Sequence, residues 1–366
     1  MKIEKVAVEP CVMRKQDPTW RFALGASPTS NGLIVCITTD GGIRGYGYAA
    51  ATPHMGSSTE GLGGTLNKLL PILEGRDPGD MTAIRMALDR ALTGNNQAKA
   101  AIDNALYDVL TRSLGVPLHR LFGGAVRTEF PVLRILAIKT PDEMAAQAQK
   151  LVDEGTRYLK IKVHGEVAED VARVAAIRAR IGDGVHLTID ANQSYSPKDA
   201  IAALSRMAEY GIDLVEQPVA IDDLKGLKLV TDTVPVTVEA DESAGSVSQI
   251  AYLVEHRIVD AISLKVAKLG GLWNSLVASQ ICAVGNVRYR FGAHVGSRLL
   301  AAPAMQLAAA LPEMWYACEF GEFARLLDDP FEGIEVEDGI IRLPGGIASG
   351  VEPRAGGTLR RATGQG

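Results

Sequence analysis

Two lysines stand inside a stretch that otherwise reads as a buried strand, "YLKIKVHG" at residues 158–165. Tyr158, Leu159, Ile161 and Val163 favour strand structure. Strand side chains alternate faces, so Lys160 and Lys162 point the same way. Strands buried on both faces normally read as unbroken apolar runs. Further along the chain, short apolar runs end in Asp190 and Asn192, Glu216, Asp241 and Glu242, Lys265, His294 and Glu319. Asp190, Glu216 and Asp241 form an oxygen-only donor set, which suits magnesium or manganese better than zinc or copper. Any one of these acids is as readily a helix cap or a loop charge. Three in succession, with lysines on both flanks, read as metal ligands whose open positions take substrate oxygens.

That reading gives the lysines a purpose. A proton on the carbon next to a carboxylate is very weakly acidic. Removing it takes a base near the carbon and positive charge on the developing enediolate. Lysine serves as a base only when neutral, and a neighbouring ammonium and burial both disfavour its charged form. Lys160 is expected to act on Lys162 in this way. Lys265 comes from a strand roughly opposite, so Lys162 and Lys265 are placed on two faces of one substrate.

The elements that must carry these residues fall into an ordered series. After Gly124, strand-like runs alternate with amphipathic stretches such as "PDEMAAQAQKLVDEG". The strand candidates are "PVLRILAI", "RYLKIKV", "VHLTID", "IDLVEQP", "VPVTVEADE", "VDAISLKV", "VRYRFGAH" and "WYACEF". This βα rhythm predicts an α/β fold, a modified (β/α) barrel with reacting groups at the C-terminal strand ends. A doubly wound sheet would want a Gly-rich phosphate turn after an early strand, and the sequence has none. Before Gly124, "KIEKVAVEPCVM" and "GLIVCITTDGGIRGYGYA" read as two antiparallel strands and a turn at Asp40-Gly41-Gly42, followed by helices up to Gly123. The expected domains are an α+β capping domain at 1–125, the barrel at 126–325, and a C-terminal segment, 326–366, folding back on the cap. Residues 14–31, rich in Pro, Gly and Ser, are expected to be a structureless lid. The tail 354–366 is expected to fray.

Composition narrows the partners. The chain has 366 residues, 47% hydrophobic and 22% charged, with a formal net charge of −5. Without a basic stripe, neither nucleic acid nor a membrane surface is an expected partner. The four cysteines have no CxxC spacing and read as reduced thiols. With no apolar leader or spanning run, a cytoplasmic location is expected. The expected partners are a small-molecule carboxylate and further copies of the chain in a homo-oligomer.

The ordered set "LKIKV", "DAN" at 190–192, "VEQP" at 215–218, "ADES" at 240–243 and "LKVAKLGG" at 264–271 resembles the enolase superfamily, in its muconate lactonizing enzyme subgroup. "AKAAIDNALYDVLTRSLGVPLHRLFGG" resembles the N-terminal signature of the same family. The resemblance implies a capped, modified TIM barrel and magnesium held by Asp190, Glu216 and Asp241. It also implies Lys162 and Lys265 as the acid/base pair, with Lys160 binding the substrate carboxylate. The mandelate racemase subgroup carries an aspartate at the place of Lys265, so Lys265 argues for the lactonizing branch. His294 is then either a substrate contact or a bland rim histidine, and Lys268 reads as structural. Dipeptide epimerases of the subgroup show two acids at the eighth strand end, where this chain offers Glu319 alone. Tyr48 replaces an expected glutamate and should alter the cap's wall. Specificity should lie with Trp20, Arg21, Phe22, His54, Met55 and Glu319, with Asn192 also facing substrate. The expected function is racemisation or epimerisation of an amino acid derivative. The alternatives are a lyase or cycloisomerase on the same scaffold, and a catalytically silent scaffold protein.

Overall fold

The computed structural model describes residues 1–355; most of the tail expected to fray, 356–366, lies outside the described residues. The N-terminal part holds β1 (Ile3–Arg14), a small hairpin β2 (Arg21–Phe22) and β3 (Gly25–Ala26), then β4 (Thr29–Thr39) and β5 (Arg44–Ala50). β1, β4 and β5 form one antiparallel sheet in that order. The sequence reading expects two strands here. There are three because the turn after Asp40 returns the chain along β4 as β5.

Helices α1 (Thr59–Leu69), α2 (Met81–Ala91) and α3 (Asn96–Leu114) cover this sheet. α3 is buried along most of its length, since the sheet lies on one side and the barrel on the other. The approach of α3 to β5 depends on glycine. A Cβ on Gly47 would lie 1.9 Å from the carbonyl oxygen of Ala101, and one on Gly45 would lie 2.5 Å from that of Ala105.

The second part is a parallel sheet of seven strands in chain order. They are β7 (Leu133–Leu136), β8 (Tyr158–Lys162), β9 (His186–Asp190), β10 (Ile212–Glu216), β11 (Thr237–Ala240), β12 (Ala261–Leu264) and β13 (Arg288–Phe291). The intervening helices are α4 (Pro141–Asp153), α5 (Val167–Ile181), α6 (Pro197–Met207), α7 (Leu224–Thr233), α8 (Val247–Glu255), α9 (Val266–Leu269), α10 (Leu272–Val284) and α11 (Arg298–Ala309). Eight strands are expected from the sequence, and the eighth candidate, "WYACEF", does not form a ladder. It makes one parallel bridge, Val132 with Cys318. Leu133 N donates to Cys318 O at 2.9 Å, and Glu319 N donates to Phe291 O at 3.0 Å. The segment therefore links the first and last strands of the ring. It is cut short at Gly321, packed so closely on Val132 that a Cβ would sit 2.5 Å from it.

Residues 14–31 also differ from the expected structureless loop. The β2–β3 hairpin sets Trp20 and Phe22 against Ile135 and Ala137 of the barrel as a small apolar cluster. Asp17 pairs with Lys139 at 2.8 Å, and Ile138 N donates to Arg21 O at 3.0 Å. These contacts, made on the barrel rim, give the segment order that its composition does not reveal. Beyond Leu326, β14 (Phe331–Glu332), β15 (Val336–Glu337) and β16 (Ile340–Arg342) follow, and β16 pairs with β6 (Glu129–Pro131). Arg14 binds Asp328, and Arg112 binds Glu352, each at 2.7 Å. Among the described residues no helix is long and apolar enough to cross a membrane.

The glycine argument is testable by a pair of substitutions. Gly47→Ala is expected to lower stability by about 1–3 kcal/mol through overpacking on α3. Gly64→Ala, exposed in α1 with nothing near its added Cβ, is expected to raise it by roughly 0.5–1 kcal/mol. Urea titration of both variants checks the sign of each change.

Candidate active site

The strand register gathers the charged residues at one end of the barrel. Lys162 of β8 is level with Asp190 of β9, Asp190 with Glu216 of β10, and Glu216 with Glu239 of β11. Asp241 follows one residue beyond β11, and Lys265 one residue beyond β12. All are buried. A cavity of about 360 Å³ opens above them, lined by Lys162, Asp190, Asn192, Asp241, Lys265 and Glu319 on the barrel side. Trp20, Phe22, His54 and residues of β4 close the cap side.

Each barrel lysine that reaches the cavity is held by an aspartate of the neighbouring strand end. Lys162 Nζ donates to Asp190 Oδ2 at 2.5 Å and to Asn192 Oδ1 at 2.7 Å. Lys265 Nζ donates to Asp241 Oδ2 at 2.5 Å, while Lys268 Nζ donates to Asp241 Oδ1 at 2.7 Å. Burial alone would push the Asp241 carboxyl up, but Lys265 and Lys268 outweigh it and hold it well below the usual range. Burial would likewise pull Lys265 down, and Asp241 instead raises it. Lys268, read from sequence as structural, is thus a fastener for Asp241. Gly292 leaves room for Lys265, since a Cβ there would lie 2.8 Å from its Cε.

Lys160 is placed differently from the expectation. It does not line the cavity but sits beneath it, its ammonium on Glu216 and Glu319 and 3.4 Å from Asp190 Oδ2. Burial would lower Lys160, yet these three carboxylates raise it well above the ordinary lysine value. Its charge is therefore spent on the floor of the site. Arg290, which sequence reasoning missed, completes that floor. It is fully buried and donates to Glu216, to Glu239 Oε2 at 2.6 Å and to Glu319 Oε1 at 2.8 Å. The arginine was legible only as an oddity of "VRYRF", a charge at a strand position that should face the core. Glu239 was missed for the same reason.

Asp190, Glu216, Glu239 and Glu319 share three cations, Lys160, Lys162 and Arg290. With Asp241 and its partners Lys265 and Lys268 the layer holds five acids and five cations, yet Glu216 is incompletely satisfied. Burial raises its carboxyl well above the usual value, Lys160 and Arg290 notwithstanding, and Oε1 has no hydrogen-bond partner. Three oxygen donors from adjacent strand ends, one of them buried and unpartnered, have the chemistry of a hard divalent cation site. Among the described residues no three acidic, histidine or cysteine side chains yet converge on one point. Asp190 and Asp241 are turned to their lysines instead.

The remaining sequence candidates separate clearly. His294 lines the cavity with Nε2 3.2 Å from Met55 Sδ and Nδ1 unpartnered; burial, then Lys265, hold it well below the usual histidine value, so it is neutral. His54 stacks edge-on against Phe22 at 4.9 Å. Asn192 adopts a left-handed backbone, φ 41°, and its amide also donates to Glu242. Glu319 reaches the cavity wall, but Lys160, Arg290 and Ala293 N already occupy its oxygens. Arg21 is exposed and lines a separate groove with Lys139 and Arg173. Tyr48 is fully buried under Gly296 and does not form part of the cavity wall. Both depart from expectation because β2 and β5 turn those side chains away from the cavity.

A capped parallel barrel whose strand ends carry lysines around a carboxylate cluster defines an enolase-like enzyme. Residues 2–123 match the mandelate racemase/muconate lactonizing enzyme N-terminal domain, and residues 143–356 match the enolase C-terminal domain-like family. The chain belongs to the mandelate racemase/muconate lactonizing enzyme family of the enolase superfamily. It is 39% identical over 295 residues to an L-Ala-D/L-Glu epimerase of Clostridium acetobutylicum, covering 80% of this chain and 82% of the relative. It is 34% identical over 288 residues to a chloromuconate cycloisomerase of Pseudomonas putida, covering 78% of each. A dipeptide epimerase from Enterococcus faecalis V583, solved with Mg and L-Leu-L-Tyr, superposes with a TM-score of 0.92 at 32% identity, over 96% of this chain and 99% of that one.

The floor makes a stability prediction. Arg290→Met strands three buried carboxylates and is expected to cost about 3–5 kcal/mol. Chemical denaturation should show this as an earlier midpoint, and an unchanged midpoint would contradict the role given to Arg290.

Proposed function

We propose that the protein is a magnesium-dependent racemase or epimerase of an amino acid derivative, acting by removal of the proton α to a carboxylate. The observation that carries this reading is that Lys162 and Lys265, from β8 and the end of β12, face one cavity together with Asp190 and Asp241. The names of the relatives support the same class of chemistry.

Asp190, Glu216 and Asp241 are the residues that would hold the metal. When bound, magnesium supplies positive charge that stabilises the enediolate. The rest of the work falls to the chain's own side chains. Lys162 and Lys265 approach the α-carbon from opposite faces. The neutral one takes the proton, and the other, as an ammonium, returns a proton to the opposite face. Asn192 orients Lys162, and Lys268 orients Asp241. Lys160 and Arg290 fix the carboxylates from below. Trp20, Phe22 and His54 cover the substrate and exclude water.

A cycloisomerase reading has one observation in its favour. Glu319 already accepts from Lys160, Arg290 and Ala293 N, so its charge is largely engaged before a substrate ammonium could reach it. A relative named chloromuconate cycloisomerase fits that feature. The two readings separate in deuterium oxide. A racemase washes deuterium into the α-carbon of unconverted N-acyl amino acid, whereas a cycloisomerase labels only its product.

Removing the metal, or one of its proposed ligands, tests the core of the proposal. Chelation by EDTA should abolish α-proton exchange. Glu216→Gln should lower turnover by about 100-fold or more and weaken magnesium binding measured by calorimetry. Full exchange in EDTA would refute the metal assignment.

A further inference from the structure

α9 carries more of the proposed chemistry than a helix of its length can hold in place. It is a single turn, Val266–Leu269, with Lys265 as its N-cap residue and Lys268 within it. One turn fixes several backbone angles for few hydrogen bonds, so it does not keep its shape unaided. The carbonyls at its end also lack partners within the helix. Leu269 O accepts from Asn274 Nδ2 at 2.8 Å, inside the barrel. Lys268 O accepts from Asn96 Nδ2, also at 2.8 Å, and Asn96 belongs to the cap.

Asn96 is the first residue of α3, which packs on α9 across the boundary between cap and barrel. Its amide reaches a second carbonyl, Gly245 O, at 3.4 Å, in the segment that follows Asp241. About two turns further along α3, Asp103 Oδ2 accepts from Leu272 N at 2.7 Å. That approach needs a glycine at 271, where φ is 132° and a Cβ would lie 2.4 Å from Asp103 Oδ2. The cap thus holds the chain on both sides of the Gly270-Gly271 turn that ends α9. Neither Asn96 nor Asp103 lines the substrate cavity; both face a separate crevice between cap and barrel. They meet the chemistry only through α9. Lys268 extends the tie inward, with its ammonium on Asp241 Oδ1 and on Ser263 O, while Lys265 takes the other oxygen of Asp241. Lys162 differs, because it lies within β8 and is placed by the ladder, level with Asp190. Lys265 lies one residue beyond β12, where the ladder has ended.

We propose that Asn96, with Asp103, is a positioning residue for Lys265: the cap sets the place of α9 and, through it, of the base that serves one enantiomer. The assignment rests on the racemase reading and adds a division of labour to it. The barrel places Lys162, and the cap helps to place Lys265.

The test uses Asn96→Asp and Asn96→Ala in the full chain with added magnesium. Both remove the donor, and aspartate suits the first turn of a helix, so α3 keeps its start in at least one of them. α-Proton exchange in deuterium oxide is measured for N-acetylalanine, N-acetylglutamate and alanylalanine, each in both configurations at the carbon next to the carboxylate. The configuration served by Lys265 is the one that Lys265→Ala no longer exchanges. For it, both Asn96 variants should lower kcat about tenfold or more beyond any loss with the other configuration, with little change in KM. Amide hydrogen exchange of the peptide 264–272 should quicken in the same variants. Arg112→Met, which cuts the ties of α3 to Asp108 and Glu352 at its far end, should leave the ratio of the two configurations as in the wild type. An unchanged ratio in both Asn96 variants, an equal loss for both configurations, unchanged protection of the peptide, or the same shift in Arg112→Met overturns the assignment and leaves the racemase reading intact. No exchange of any of these substrates by the wild-type protein removes the racemase reading and the assignment with it.

Discussion

The cost of burying carboxylates governs this structure. Asp190, Glu216, Glu239, Asp241 and Glu319 are each almost wholly removed from water. Unpaired, such charges are prohibitively expensive, and the group would neutralise instead. The chain meets the cost with cations on other strands rather than with water. Arg290 and Lys160 bind from beneath, Lys162 and Lys265 from the cavity, and Lys268 from α9. The result is a charged layer that can be assembled only if every strand end is in register. A one-residue slip of β9 or β10 would turn Asp190 or Glu216 to the helix side, because strand side chains alternate. Fold and site are therefore the same constraint seen at two scales.

The layer divides into a buried floor and a rim that faces the cavity. Arg290, Glu239 and Lys160 have no place in the cavity lining, and their partners hold them rigid. Lys162 and Lys265 are each tied to one aspartate at the rim, so they hold the cavity's cationic charge at defined points. Buried networks of this kind are costly when one member is removed and give little net stability when complete. Their return is placement. The two lysines are supported by neighbouring strands, which position groups more accurately than loops do.

Much of this was legible in the sequence because the chemistry lies on strands. Period-two alternation made Lys160 and Lys162 conspicuous, and the run of Asp190, Glu216, Asp241 and Lys265 followed from reading strand ends. The parts that were not legible depend on tertiary contacts. "WYACEF" has strand composition, yet its pairing is limited by the turn at Gly321 against Val132, which no local pattern reports. The order of residues 14–31 comes from Asp17–Lys139 and from Trp20 on Ile135, contacts far apart in sequence. Arg290 and Glu239 read as ordinary strand charges until the ring brings them together. The family resemblance implies that Lys160 binds the substrate carboxylate; its position one pleat below Lys162 puts it against Glu216 and Glu319 instead. Position along the chain points Arg21 at the wall and the family resemblance points Tyr48 there, and the direction of each strand decides otherwise.

In the proposed reaction Lys162 and Lys265 act on opposite faces of one α-carbon. The most direct measurement is α-proton exchange in deuterium oxide, followed by NMR, for Lys162→Ala and Lys265→Ala with each enantiomer of an accepted substrate. Both variants are expected to lose interconversion of enantiomers. Each retains exchange with a single enantiomer, and the enantiomer differs between them. Exchange of both enantiomers at equal rates by either variant would contradict it.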